Sequence, residues 1–82
     1  MINVLFFAKL SEMLNTRKIL VPINAVEDTE QLMQYLMDKN DEWRDVLVSQ
    51  TWLIAVNQHM CRENVVLKSG DEVAYFPPVT GG

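Results

Sequence analysis

The residues best suited to chemistry stand at the end of the chain, where Gly81 and Gly82 follow directly on Phe76, Pro77, Pro78, Val79 and Thr80. Two glycines leave no Cβ beside the terminal carboxylate. Such a tip can enter a channel too narrow for other dipeptides and adopt whatever φ and ψ that channel demands. An α-carboxyl group with a pKa of roughly 3.3 to 3.7 is ionised at neutral pH but is a weak nucleophile, so it reacts only against a positioned activating group. The rest of the chain offers no obvious residues for that activation, which points to chemistry carried out in another protein's site. Pro77 and Pro78 remove two backbone donors and favour a polyproline-like exit, so the tail projects from the body. Fully extended, Pro77 to Gly82 spans at most ~20 Å.

Other residues invite chemical readings that are weaker. His59 and Cys61 lie two apart and would share one face of a strand, but a Cys/His pair without an orienting third group reads as incidental. Glu27, Asp28 and Glu30, like Asp71 and Glu72, are explained by helix-start and turn roles before any acid/base role. Gly70 and Asp71 read as a tight turn that positions the last strand and does no chemistry.

Hydrophobic spacing gives the elements that must position the tip. Ile2, Val4, Leu5, Phe6 and Phe7 form an apolar run interrupted only by Asn3, the pattern of a strand buried on both faces in the middle of a sheet. Leu10, Met13 and Leu14 mark a short helix that Asn15 and Thr16 end. Lys18 to Val21 reads as a second strand, with Pro22 at its end or on a sheet edge. Asp28 caps the principal helix, Gln31 returns the bond as in a capping box, and Leu32, Met33, Leu36 and Met37 form its apolar stripe. After the break at Asn40 and Asp41, Trp43, Val46 and Leu47 suggest further helical turns. Trp52 to Val56 is β-rich, Asn57, Gln58 and His59 form a polar turn, and Met60 to Val66 is a short strand, a loop, or both. Ser69 to Asp71 is a turn, and Glu72 to Phe76 resumes an extended pattern.

This order of strands and helices argues for an α+β fold with helices packed on one face of a four- or five-stranded sheet, a body over residues 1–76 and a projecting tail over 77–82. Phe6 and Phe7 must then point to opposite faces, and only one face is covered. Phe7, Met60, Phe76 and Val79 are therefore either an uncovered partner-docking patch near the tail's root or satisfied core.

Composition narrows the classes of function. With 82 residues, 49% hydrophobic and 22% charged, the chain is an ordinary small packed domain and not a disordered one. A formal net charge of −4 opposes phosphate backbones and anionic membrane surfaces, so nucleic acid and membranes are not expected partners. The single Cys61 closes no internal disulfide, and no cysteine-histidine cluster suggests a metal. The start shows no basic leader, and no apolar run approaches the ~20 residues of a membrane span, so a soluble cytoplasmic chain is expected.

Three segments carry a resemblance. Val4-Leu5-Phe6-Phe7-Ala8, Ala55-Val56-Asn57-Gln58, and above all Gly70-Asp71-Glu72-Val73-Ala74-Tyr75-Phe76-Pro77-Pro78-Val79-Thr80-Gly81-Gly82 resemble the small subunits of molybdopterin synthase, in the ubiquitin-like sulfur-carrier family. The resemblance spans the chain, although Asn24 to Gln50 matches only in its helical pattern. It implies a ubiquitin-like β-grasp fold with a mixed sheet in which the first and last strands lie side by side in parallel.

The resemblance also implies a sulfur-carrier cycle. An ATP-dependent adenylating enzyme would activate the Gly82 carboxylate, with Gly81 beside it, and sulfur from a separate donor would displace AMP to leave a thiocarboxylate. That sulfur would then pass to a pterin precursor to build the molybdopterin dithiolene. The chain would be the sulfur-donating subunit of a sulfurtransferase, inactive alone, in a heterotetramer with the large subunit. It would bind no cofactor itself, the ATP belonging to the activating enzyme. Phe7, Met60, Phe76, Pro77, Pro78, Val79 and Thr80 would meet the partner. Alternative functions are a carrier for thiamine thiazole synthesis or tRNA thiolation, a ubiquitin-like protein modifier, or a plain β-grasp interaction module whose tail is irrelevant.

Overall fold

The computed structural model describes residues 1–78; the tail residues Val79, Thr80, Gly81 and Gly82, which carry the predicted chemistry, lie outside the described residues. Five strands form one sheet: β1 (Ile2–Phe6), β2 (Lys18–Val21), β3 (Leu53–Val56), β4 (His59–Cys61) and β5 (Glu72–Phe76). Three helices accompany it: α1 (Ala8–Leu14), α2 (Thr29–Met37) and α3 (Asp41–Val48). The spatial order is β2-β1-β5-β3-β4, and only β1 and β5 run parallel. Asn3 faces Glu72, Val4 faces Val73, Leu5 faces Ala74 and Phe6 faces Tyr75. This is the mixed α+β arrangement expected from the sequence, with five strands.

Side chains alternate along β1, and the helices choose one face. Ile2, Val4 and Phe6 are buried beneath them, while Asn3 and Leu5 are only half-buried on the other side. The strand is thus interior to the sheet as expected, but it is not buried on both faces. A continuous apolar run has the same pattern whether its second face meets a layer of this chain or is left uncovered. Beneath the helices, Phe6 stacks on Tyr75 at 6.0 Å between ring centroids and meets Trp43 edge-on at 5.4 Å.

The helix ends are made by specific polar atoms. Asn15, at φ 52°, closes α1 in the left-handed conformation, and Asn15 and Thr16 donate their N–H groups to the carbonyls of Glu12 and Ser11. Leu10 and Leu14 point inward, whereas Met13 is exposed, so the buried stripe of α1 is narrower than its apolar spacing suggested. Asp28 Oδ1 accepts from the Gln31 N–H at 2.8 Å as predicted, but Gln31 Oε1 accepts from the Glu27 N–H, one residue before the cap. Beside this cap the chain also bonds the 65–67 segment, where Thr29 N–H donates to the Val65 carbonyl and Leu67 N–H to that of Glu27. Asn40 starts α3 by accepting from the Trp43 N–H. Trp52 precedes β3 instead of belonging to it, its Nε1 donating to the Leu47 carbonyl at 3.1 Å in the core.

Two turns fix the far end of β5. Asn57 and Gln58, at φ 50° and 70°, make a two-residue hairpin turn, so His59 already belongs to β4 and is not part of the turn. Asn57 then grips the start of β5: its N–H donates to the Glu72 carbonyl, its Oδ1 accepts from the Glu72 N–H, and its Nδ2 donates to Asp71 Oδ1 at 3.0 Å. Asp71 Oδ2 accepts from the Lys68 N–H at 2.7 Å, and Gly70, at φ 91°, donates to the Met1 carbonyl.

The Asn57 amide, helped by the Lys68 N–H, holds the Asp71 carboxyl below its ordinary value of 3.8. The Gln31 N–H acts in the same direction on Asp28. A carboxyl whose folded pKa is depressed contributes stability above the unfolded pKa and loses it as pH falls through the folded one. Urea unfolding should therefore show stability dropping as pH falls from about 5 to about 3, with a shallower drop in Asp71→Asn. That variant should be the less stable protein at neutral pH, the gap narrowing in acid. A second expectation concerns Tyr75, whose buried hydroxyl has no hydrogen-bond partner among the described residues and is kept protonated by burial. Removing an unpartnered buried hydroxyl while keeping the ring recovers its desolvation cost, so Tyr75→Phe should be neutral or more stable by about 1 kcal/mol in urea titrations.

Candidate functional site

The sheet's second face has no helix over it, and strand register decides which side chains it carries. Cross-strand partners share a face, so Leu5 and Ala74 lie together, Ala74 faces Ala55, Ala55 faces Met60, and Leu53 faces Phe76. Phe7 extends this face because its N–H still donates to the Tyr75 carbonyl at 3.1 Å, which makes it the last rung of the β1–β5 ladder. Alternation separates the neighbouring phenylalanines sharply: Phe6 is 3% exposed under the helices and Phe7 is 46% exposed on the open side. The Phe7 and Phe76 rings meet edge to face at 5.9 Å.

The sequence-predicted patch is thus partly assembled. Phe7 and Phe76 touch at the root of the tail, and Met60, 58% exposed, lies on the same face across β3. Pro77 is half-buried and Pro78 exposed where the chain leaves the sheet. Of the two readings of this cluster, the uncovered surface holds for Phe7 and Met60. Val79 and Thr80, like Gly81 and Gly82, lie outside the described residues. Sequence reasoning missed Leu5, Leu20 and Leu53, which share the face; Leu20 is exposed opposite Asn3. Their signal was available, since every second residue of β1 and β2 falls on one side once the register is known.

Charge is confined to the margins. Lys18 faces Leu5 at the tail end of the sheet, and Glu72 faces Asn3 at the other. The centre between them, formed by Leu5, Ala74, Ala55 and Leu53, carries no ionisable group. Such a surface suits protein contact, and its centre offers no nucleophile, acid or base with which to transform a small substrate.

His59 and Cys61 do share a face, pairing with Val56 and Ile54, but it is the face opposite Met60. His59 is exposed, and the Cys61 thiol donates to the His59 carbonyl at 3.2 Å instead of meeting its imidazole. Cys61 borders a shallow hollow of about 280 Å³ with Thr29, Met33, Ile54 and Asn64. Thr29 is buried there but satisfied, bonding Asn64 Oδ1 and the Val65 N–H. No group of three metal-ligating side chains occurs among the described residues, and no helix there is long and apolar enough to cross a membrane.

Comparison with known proteins bears on the same geometry. The family model described as the ThiS family matches residues 4–82. The chain is 42% identical to the molybdopterin synthase sulfur carrier subunit of Escherichia coli (strain K12), over the full length of both chains. It is 38% identical, again over both full lengths, to the protein of that name from Haemophilus influenzae (strain ATCC 51907 / DSM 11121 / KW20 / Rd). Among solved structures, a chain from the protein-protein complex of subunit 1 and 2 of molybdopterin-converting factor from Helicobacter pylori 26695 matches with TM-score 0.70 and 26% identity, covering 99% of this chain and 97% of that one. With a parallel β1–β5 pair inside a mixed sheet and helices on one face only, this chain has a ubiquitin-like β-grasp fold and belongs to the ThiS family.

Proposed function

We propose that this protein is the sulfur carrier subunit of a molybdopterin synthase, with Gly82 as the residue that carries sulfur. The observation that carries this reading is the full-length identity of 42% to a sulfur carrier subunit of that enzyme. The apolar open face beside the tail's root supports it independently, because a domain that brings its tip to another protein's pocket needs a surface by which to dock.

The chemistry follows from the tip. The Gly82 carboxylate attacks the α-phosphorus of ATP in an activating enzyme, pyrophosphate leaves, and the acyl adenylate forms. A sulfur nucleophile from a donor then attacks the acyl carbon, AMP leaves, and the C-terminus becomes a thiocarboxylate. Sulfur bears the charge at neutral pH and is a far better nucleophile than the oxygen it replaces. In the large subunit's pocket it attacks a carbon of the pterin precursor and displaces an oxygen substituent there, and water then cleaves the acyl–sulfur bond, leaving the sulfur on the pterin and returning the Gly82 carboxylate. A dithiolene has two sulfurs, so two charged tails are consumed for each product.

In this cycle the chain binds no cofactor of its own, and ATP belongs to the activating partner. The working enzyme is a heterotetramer in the cytoplasm, with each small subunit seated on a large-subunit dimer through Phe7, Met60, Phe76 and the segment from Pro77 to Thr80. Gly81 and Gly82 pass into the pocket.

Two measurements test the proposal. Incubation with the activating enzyme, ATP and a sulfur source should raise the intact mass by about 16 Da, one oxygen replaced by sulfur, and a variant lacking Gly81 and Gly82 should gain nothing and restore no cofactor synthesis in cells lacking the native copy. An unchanged mass under conditions that charge a known carrier sinks the chemical reading. Calorimetric titration against a molybdopterin synthase large subunit separates this pathway from other sulfur carriers, since only the proposed reading requires a stable complex. There Met60→Asp should weaken binding by about 10-fold or more while leaving the thermal midpoint nearly unchanged, because it places an anion in an apolar contact from an already exposed position.

A further inference from the structure

Ala8 has φ 55°, the left-handed conformation, although it is an alanine at the first position of α1. Of the four other described residues at positive φ, Gln58 follows Asn57 in the two-residue hairpin turn that requires it, and Asn15, Asn57 and Gly70 are of types that reach this region readily and sit at turns or a helix end. Alanine is not such a type. Its place in the fold explains what the conformation accomplishes. Phe7 is fully extended at φ −116° and ψ 157° and still bonded to β5, whereas the chain from Ala8 onward is helical and buries Leu10 and Leu14 beneath the sheet. The whole change of direction, from the ladder toward the covered side, occurs at one residue. On one side of it the backbone is held by the Phe7 N–H to the Tyr75 carbonyl, and on the other the Ser11 hydroxyl donates to the Ala8 carbonyl at 2.8 Å.

We propose that Ala8 is a positioning residue: its left-handed backbone fixes the direction in which the Phe7 ring stands on the open face beside Phe76, and so presets the docking surface at the tail's root. The inference rests on the reading of that face as the docking surface given above. The left-handed basin open to alanine is small, about 20° wide in φ, whereas glycine roams over positive and negative φ alike. A glycine here would relieve strain but loosen the root of Phe7. Alanine keeps a strained but narrow well, as surroundings that over-determine a conformation allow. Such presetting favours binding by reducing what must be ordered on contact.

Two replacements separate strain from direction. Ala8→Gly removes both the strain and the narrow well; D-alanine at position 8, introduced by chemical ligation, removes the strain and keeps a well at positive φ. The free chain is followed by its thermal midpoint and by the nuclear Overhauser contact between the Phe7 and Phe76 rings, and the complex by its Kd for the large subunit. The glycine variant should melt at the same or a higher temperature, yet show a weakened ring contact and bind about 3- to 10-fold less tightly. The D-alanine variant should melt higher, keep the ring contact and bind like the native chain. A merely structural role would move midpoint and affinity together. A glycine variant with native ring contact and native affinity overturns the proposal, and so does a D-alanine variant that loses either. If the native chain itself forms no complex, the docking reading falls, while the ring contact in the free chain still decides whether Ala8 aims Phe7.

Discussion

The parallel pairing of β1 with β5 is the constraint on which the rest of the molecule depends. It joins Asn3 to Glu72 and Phe6 to Tyr75, so the first and last strands lie side by side in the interior of the sheet. Everything between them must form a crossover long enough to return in the same direction, and β2, three helices and the β3–β4 hairpin fill that crossover. Because parallel strands end at the same side, Phe7 and Phe76 come to one edge from opposite ends of the sequence. The platform at the tail's root therefore exists only when the whole domain is folded, and it cannot be loosened by fraying of one terminus without breaking a ladder inside the sheet.

That pairing also sets the imbalance between the two faces. All helices pack on one side, where Phe6, Trp43 and Tyr75 form a continuous aromatic cluster. The other side keeps Leu20, Phe7 and Met60 largely exposed. A domain of this size already buries a smaller fraction of its surface than a larger one, so leaving apolar side chains uncovered is a real loss of stability. Covering the remaining exposed half of each recovers about 1 kcal/mol, which makes the open face a reserve of binding energy that folding alone does not use. The Asn57–Asp71 latch holds the opposite end of β5, so the strand that leads into the tail is anchored at its start by side chains and along its length by two neighbours.

Much of this could be read from residue order, and the failures have definite causes. The elements announced themselves through spacing and punctuation: the Asp28 cap before α2, the break at Asn40 and Asp41 before α3, Pro22 after β2, the glycine-aspartate turn before β5. Leu5 misled, because an apolar residue aimed at an uncovered face looks like one aimed at a second layer. Met13 misled for the related reason that helical spacing tells which residues share a side but not how wide the contact is. The Gln31 side chain returns to the Glu27 N–H and not to that of Asp28, a difference of one residue that the spacing of cap and glutamine does not report. Phe7, Phe76 and Met60 were legible as a cluster because alternation, a single covered face and the chain's exit point all bear on them. The left-handed Ala8 was not, since alanine gives no turn signal; only the clash between an extended Phe7 and a helix starting immediately after it demands the conformation.

On the proposed reading, the separation of tip from body has an energetic consequence. The chemistry happens at a residue beyond the sheet, and the groups that activate it belong to other proteins, so the body contributes only placement. Within that cycle the tip meets two successive hosts, the enzyme that charges it and the one that discharges it, and it can enter only one pocket at a time. Each encounter has to end before the next begins. Tightening the contact with either host would slow the release on which the other depends, since affinity differences among related complexes reside mainly in dissociation rates. A surface with a few exposed apolar anchors, an uncharged centre and charge only at its margins suits that requirement better than a continuous hydrophobic sheet face would. Affinity is then best drawn from having the anchors correctly aimed before contact, which costs nothing on release beyond the contacts themselves, and this is the reason a strained backbone one residue from an anchor is more than a local irregularity of the turn.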